Sequence, residues 1–218
     1  MGGEDTLLAR RIEESDLSTR VEWLNDPKTR NGIAIEGPIS VAQTKQWLNR
    51  TLADPSRLDV VFSRSENGPL LAMGGLTGIS HRDSHAELYV FVKPGEFGRG
   101  IGCQATEWLC RHAFVEKGLE RVFLFAYADN LRALKLYRRL GFALEGTLRC
   151  HRMRSGALVD RCVLGLMKTE WDAIRQKSIA AGEATTGTSP LEATARTAEG
   201  RAARDGFQDM SRLHDRGD

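Results

Sequence analysis

Residues Tyr89 to Ala105 read YVFVKPGEFGRGIGCQA. An apolar strand-like run enters a loop with glycine at positions 98, 100 and 102, and Ile101, Ala105, Trp108, Leu109 and Ala113 then recur at helical spacing. Gly98, Gly100 and Gly102 have no Cβ, so the backbone can take positive φ there and bring its amides against another molecule. The first turn of the following helix has N–H groups without intrahelical partners and about half a positive charge. Strand, glycine loop and helix start together predict a cradle for phosphate. A dinucleotide fingerprint G-x-G-x-x-G fails because Cys103 stands at the third glycine, and a P-loop fails because no Lys-Ser/Thr follows.

Outward from this loop the chain alternates elements. LLARRI (Leu7 to Ile12) reads as a strand, and Asp16 is placed to cap a helix through Trp23 and Leu24 that Pro27 stops. Ser40 is placed to cap a helix over Val41 to Leu52. LDVVFSR and LLAMGGLTGI flank the turn signal SENGP and read as a hairpin. AELYVFV is the strand before the glycine loop, and RVFLFAY (Arg121 to Tyr127) precedes a helix bearing Leu131, Leu134, Tyr137 and Leu140, capped by Asp129 or Asn130 and stopped at Gly141. Two strands follow, near Phe142 to His151 and Leu158 to Leu166, joined at Ser155-Gly156. The order β-α-α-β-β-β-α-β-α-β-β predicts a mixed α/β (α+β) fold: a mostly antiparallel sheet of about seven strands flanked by about four helices.

Composition narrows the function classes. The 218 residues suit one domain, assigned to 1–177. From Ser178 onward, residues 178–218 are rich in Ala, Gly and Thr and poor in large apolar side chains, which predicts a mobile tail with a short helix near Gly206 to Leu213 and, as the functional alternative, a docking arm. A net charge of +2 supplies no broad field for nucleic acid or an acidic membrane, so neither is the expected partner. Cys103, Cys110, Cys150 and Cys162 lack zinc-site spacing and read as reduced thiols, with no metal expected. No run approaches the roughly 18 to 20 apolar residues of a membrane span, and the N-terminus has no apolar signal region, so a cytoplasmic location is expected.

The glycine loop GRGIG, read with VEWLNDP, with N-x-x-A-x-x-x-Y-x-x-x-G-F from Asn130 to Phe142, and with GALVDRCVLGLMKTEW, resembles the GNAT superfamily of acetyl-CoA-dependent N-acetyltransferases, in its RimJ/RimL-like branch, over about residues 6–172. The resemblance implies that the loop Phe97, Gly98, Arg99, Gly100, Ile101 and Gly102 holds the coenzyme diphosphate, that Asn130 contacts the coenzyme, and that Tyr137 lies near its sulfur. It also implies that a backbone amide near Phe91 or Val92 faces the thioester carbonyl where the strand splays from its neighbour, and that homodimers form. One departure stands out: the family's loop opens with Gln or Arg, whereas this chain has Phe97, leaving Arg99 as the expected charge partner.

Acetyl transfer to an amine needs a bound donor, a neutral amine, a partner for developing negative charge on oxygen, and a proton for the departing thiolate. Tyr137, a phenol with a reference pKa of about 10, is the candidate acid, against its reading as a core residue of the helix stripe. Glu87 is the candidate base on the acceptor side, against a solvated strand-end carboxylate; His85 and His81 are its substitutes. Strand alternation in RCHRMR sends Arg149 and His151 one way and Arg152 and Arg154 the other. Arg149 and His151 are candidate contacts to an acidic acceptor such as a nucleotide-linked amino sugar, or belong to an exposed basic edge. Thr29 to Gln43 is expected to border the acceptor opening. The expected activity is acetylation of a primary amine on a small molecule; the alternatives are acetylation of a protein N-terminus and a non-catalytic acyl-CoA sensor.

Overall fold

The computed structural model describes residues 6–35 and 37–180, with side chains to 177. Its centre is a seven-stranded sheet in the order β1-β2-β3-β4-β5-β7-β6. The strands are β1 (Leu8–Arg11), β2 (Leu58–Ser63), β3 (Ala72–Ser80), β4 (His85–Val92), β5 (Arg121–Tyr127), β6 (Ala143–Arg154) and β7 (Ala157–Met167). All neighbours are antiparallel except β4 and β5, which are parallel. A parallel pair needs a crossover, and the glycine loop with its helix supplies it.

The α-helices among the described residues are α1 (Leu17–Asn25), α2 (Pro27–Arg30), α3 (Val41–Leu52), α4 (Ile101–Arg111), α5 (Leu131–Arg139) and α6 (Lys168–Ala180), six where about four are expected. The two extra ones have different causes, a local one for α2 and a long-range one for α6. Pro27 does not simply end α1: Asp26 Oδ1 accepts from Lys28 N–H at 2.8 Å, and proline at the first helical position opens α2, where its missing N–H costs nothing. α6 packs Trp171 on Phe114, with ring centroids 5.4 Å apart, and Glu170 accepts from Met167 N–H at 2.9 Å at its start. Trp171 and Ile174, one turn apart, with Ile179 further on, make too thin a stripe to announce that helix in sequence. The expected tail, including the short helix near Gly206 to Leu213, lies outside the described residues beyond 180.

Two capping expectations divide. Ser40 Oγ accepts from Gln43 N–H at 3.2 Å in a reciprocal box at the start of α3. Asp16 instead binds Arg10 through both carboxylate oxygens at 2.7 Å and accepts from Glu13 N–H at 2.9 Å, tying β1 to the entry of α1. At α5, Asn130 is the cap, accepting from Ala133 N–H at 3.2 Å, while Asp129 pairs with Arg154.

Apolar side chains bury on both faces of the sheet. One face carries Phe62, Leu76, Leu88, Leu124 and Leu164 against Leu109, Ala113 and Phe114; the other packs Val61, Met73 and Phe91 against Trp23, Leu24 and Leu48. Among the described residues no helix is long and apolar enough to cross a membrane.

Candidate active site

The site arises where the parallel ladder stops. β4 and β5 pair only at His85 with Arg121, Ala86 with Val122 and Glu87 with Phe123, after which the strands separate. On the β3 side, Lys93 N–H donates to Leu71 C=O at 2.9 Å, and the antiparallel register extends that pattern back through Phe91 and Tyr89. The Phe91 amide therefore serves β3, and the alternate amides of Val90 and Val92 face the gap.

Two cavities meet in this gap, sharing Gly32, Ile33, Val90, Phe91, Asn130, Ala133 and Tyr137. The first, about 460 Å³, lies between the glycine loop and α5 and is lined by Phe97, Gly98, Gly100, Gly102 and Cys103. Gly98 (φ 85°) and Gly100 (φ 79°) take the left-handed conformation expected of them. Gly102 does not; it belongs to α4, and a Cβ there would come within 3.3 Å of both Val92 and Leu136, so its role is close packing. The α4 ladder begins with Gln104 N–H donating to Gly100 C=O at 3.0 Å, leaving the amides before it without partners in the helix. Lys28, Arg132, Lys135 and Arg139 also line this cavity, with Glu96 the one carboxylate among the described lining residues. Bare amides, a helix N-terminus and surplus positive charge fit a diphosphate-bearing coenzyme.

Arg132 lies over the Phe97 ring, 4.2 Å from its centroid, so an aromatic in the loop holds a cation supplied by α5. Arg99 is not among the residues lining the cavity; it donates to Glu96 at 2.6 Å. Ile101 is buried in the core beneath the loop, where it fixes α4 rather than lining the cavity.

The second cavity, also about 460 Å³, opens on the other side of the gap and is lined by Glu87, Tyr89, Phe125 and the shared residues. Glu87 is half-buried, and that burial lifts its carboxyl pKa above the usual value against the pull of Arg161, Arg57 and Arg152. Tyr137 borders both cavities and is 8% exposed; burial raises its phenol pKa, so it keeps its proton through the neutral range. Ile33, Ala34 and Ile35, from the expected bordering segment, form one wall. Arg154 holds that segment, donating to Asn31 C=O at 3.1 Å and to Asp129 at 3.1 Å.

Alternation predicts His151 and Arg152 on opposite faces of β6, yet both line this cavity. The register slips between Leu148 and Arg152, and Cys150 has φ 50°, a bulge that turns adjacent side chains toward one side. Arg149 does not line the cavity, and neither does His85, whose ring packs 5.7 Å from Phe123 where the ladder is still closed.

Sequence reasoning passes over the group behind Glu87. Asp59, buried at the start of β2, accepts from Arg57 Nη2 at 3.2 Å and from the Tyr89 hydroxyl. Burial and Asp59 raise the Tyr89 phenol far above its ordinary pKa. Arg20 of α1 lies 3.9 Å over Trp47, and Arg161 of β7 lies 4.5 Å over Phe125. The available signal is a charged residue inside an apolar run: Asp59 in LDVVFS and Arg161 in LVDRCVLGL.

The family described as an acetyltransferase (GNAT) domain matches residues 6–143. The uncharacterized N-acetyltransferase p20 of Bacillus licheniformis is 22% identical over 172 residues, covering 77% of this chain and 96% of its own. Spermidine N(1)-acetyltransferase of Escherichia coli (strain K12) is 30% identical over 73 residues, 34% of this chain and 39% of that protein. Among solved structures, spermidine N-acetyltransferase from Vibrio cholerae in complex with CoA and spermine superposes with a TM-score of 0.73 at 20% identity, covering 77% of this chain and 99% of that one.

Proposed function

The chain belongs to the GNAT acetyltransferase family, and from that premise we propose that it transfers an acetyl group from acetyl-CoA to a primary amine of a small molecule, by direct attack in a ternary complex. The observation that carries this reading is the meeting of two cavities at the opening between β4 and β5, one lined as a diphosphate site and the other, about 460 Å³, of a size that suits a small ligand. Acetyl-CoA supplies the activated thioester when bound.

The residues divide the work by position. Amides between Phe97 and Gly102 hold the diphosphate, and Asn130 borders both cavities while capping α5. The Val92 amide, or that of Val90, donates to the carbonyl oxygen as negative charge develops there. Glu87 accepts the proton of the incoming amine, directly or through water, and Tyr137 gives one to the departing sulfur. Amide donation in a gap between strands is fixed before substrate arrives, so no reorganisation accompanies the charge movement.

Release of free thiol from acetyl-CoA with a panel of primary amines tests the reading. Turnover with at least one small amine is expected. Tight coenzyme binding with no thiol released for any small amine or N-terminal peptide would transfer the chain to the sensor reading.

A further inference from the structure

We propose that the acceptor amine also bears a negative charge, a carboxylate or a phosphate, bound by Arg20, Arg152 and Arg161 in the cavity beside Glu87. The proposal rests on that cavity being the acceptor site, as argued above.

Four arginines line the cavity, and among the described residues Glu87 is the only carboxylate that does so. Arg57 is already answered by Asp59, at 3.2 Å. Arg152 and Arg161 make no ion pair among the described residues, and burial and then Arg152 lower the Arg161 guanidinium pKa against the weaker pull of Glu87. Arg20 is 7% exposed, and its Nη1 is buried with no hydrogen-bond partner among the described residues. A buried guanidinium N–H left without an acceptor is costly, and native interiors seldom keep one unless a ligand or water completes it. An anionic oxygen entering this cavity would meet several forked donors of the kind that grip carboxylate and phosphate.

The same arrangement opposes a polycation. A polyamine would bring several ammonium groups among guanidinium groups that Glu87 alone cannot balance. It also serves the reaction: nearby positive charge disfavours the ammonium form of the acceptor and so favours the neutral amine that can attack.

Calorimetry on the full chain saturated with CoA tests this with matched probes: glucosamine 6-phosphate against glucosamine, phosphoethanolamine against ethanolamine, and 4-aminobutyrate against 4-aminobutanamide, with spermidine as the polycation. Charge-assisted bonds of this kind predict that at least one anionic probe binds about tenfold or more tighter than its uncharged partner. The preference should shrink with added salt, fall toward parity in Arg152→Gln and Arg161→Gln, and return in part in Arg161→Lys. Arg152 is exposed, so its variant tests the idea even if Arg161→Gln fails to fold. The phosphate and carboxylate arms separate the two anion chemistries. Binding of spermidine tighter than any anionic probe, parity within every pair, or no binding by any anionic probe overturns the inference. Anionic binding with no thiol release from acetyl-CoA leaves the anion site standing and removes the cavity's role as the acceptor site instead.

Discussion

Glu87 lies opposite Phe123 at the last rung of the β4–β5 ladder, so the carboxylate stands where the sheet opens. Burial holds its carboxyl pKa above the usual carboxylate value. Acting as a base it must be ionised, so kcat/KM should rise with pH through a limb above the ordinary value of about 4.3. Glu87→Gln should remove that limb and lower kcat/KM by about 10²- to 10⁴-fold. A limb that persists in the variant places the base elsewhere. Because the folded protein binds this proton more tightly than the unfolded chain, the stability it contributes is present below the unfolded pKa and lost as pH rises through the raised value. The melting temperature of Glu87→Gln relative to the parent should therefore improve as pH rises from about 4 through the raised value.

Tyr137→Phe should cut turnover by about 10²-fold or more while leaving CoA affinity within a few-fold, read by thiol release and calorimetry. Its raised phenol pKa predicts no loss of activity from this group on the alkaline side up to about pH 10. Unchanged turnover would return Tyr137 to a packing role beside Phe142, whose ring centroid is 5.7 Å away.

Gly100 combines φ 79° with open space where a Cβ would stand. Gly100→Val therefore meets backbone strain without a clash, about 1 to 3 kcal/mol by denaturant titration. Displacing the loop amides should also weaken CoA binding more than tenfold. Normal CoA affinity in a folded variant would argue against the loop as the diphosphate site.

Asp59→Ala removes the acceptor shared by Arg57 and Tyr89 and leaves a partly buried guanidinium uncompensated. A loss of about 3 to 5 kcal/mol is expected in equilibrium unfolding. Tyr89→Phe, which deletes one hydroxyl and leaves the Arg57 pair intact, should cost about 1 kcal/mol. Equal losses in the two variants would contradict the assignment of Asp59 as the common anchor.

Local chemistry made much of the fold and the coenzyme side of the site legible. The turn signals, the Ser40 and Asn130 caps and the apolar runs of β2 through β5 act within a few residues of themselves, and so does the glycine loop running into α4. α6 escaped because its burial depends on Trp171 reaching Phe114, a partner far back in the chain. Arg132 on the loop is illegible for a similar reason: Arg99 donates to its neighbour Glu96, whereas Arg132 arrives from α5 to stack on Phe97.

The sequence by itself determined the elements, their order and the cradle between Phe97 and Gly102, because backbone conformation and amphipathic period are short-range properties. Only the tertiary structure decided the character of the acceptor cavity. Sheet order places β7 beside β5, a bulge at Cys150 brings Arg152 to the side of His151, and α1 delivers Arg20 from near the other end of the described chain. Charge at a site is a sum over groups that share space rather than sequence, and the long-range pairing of strands sets which groups those are.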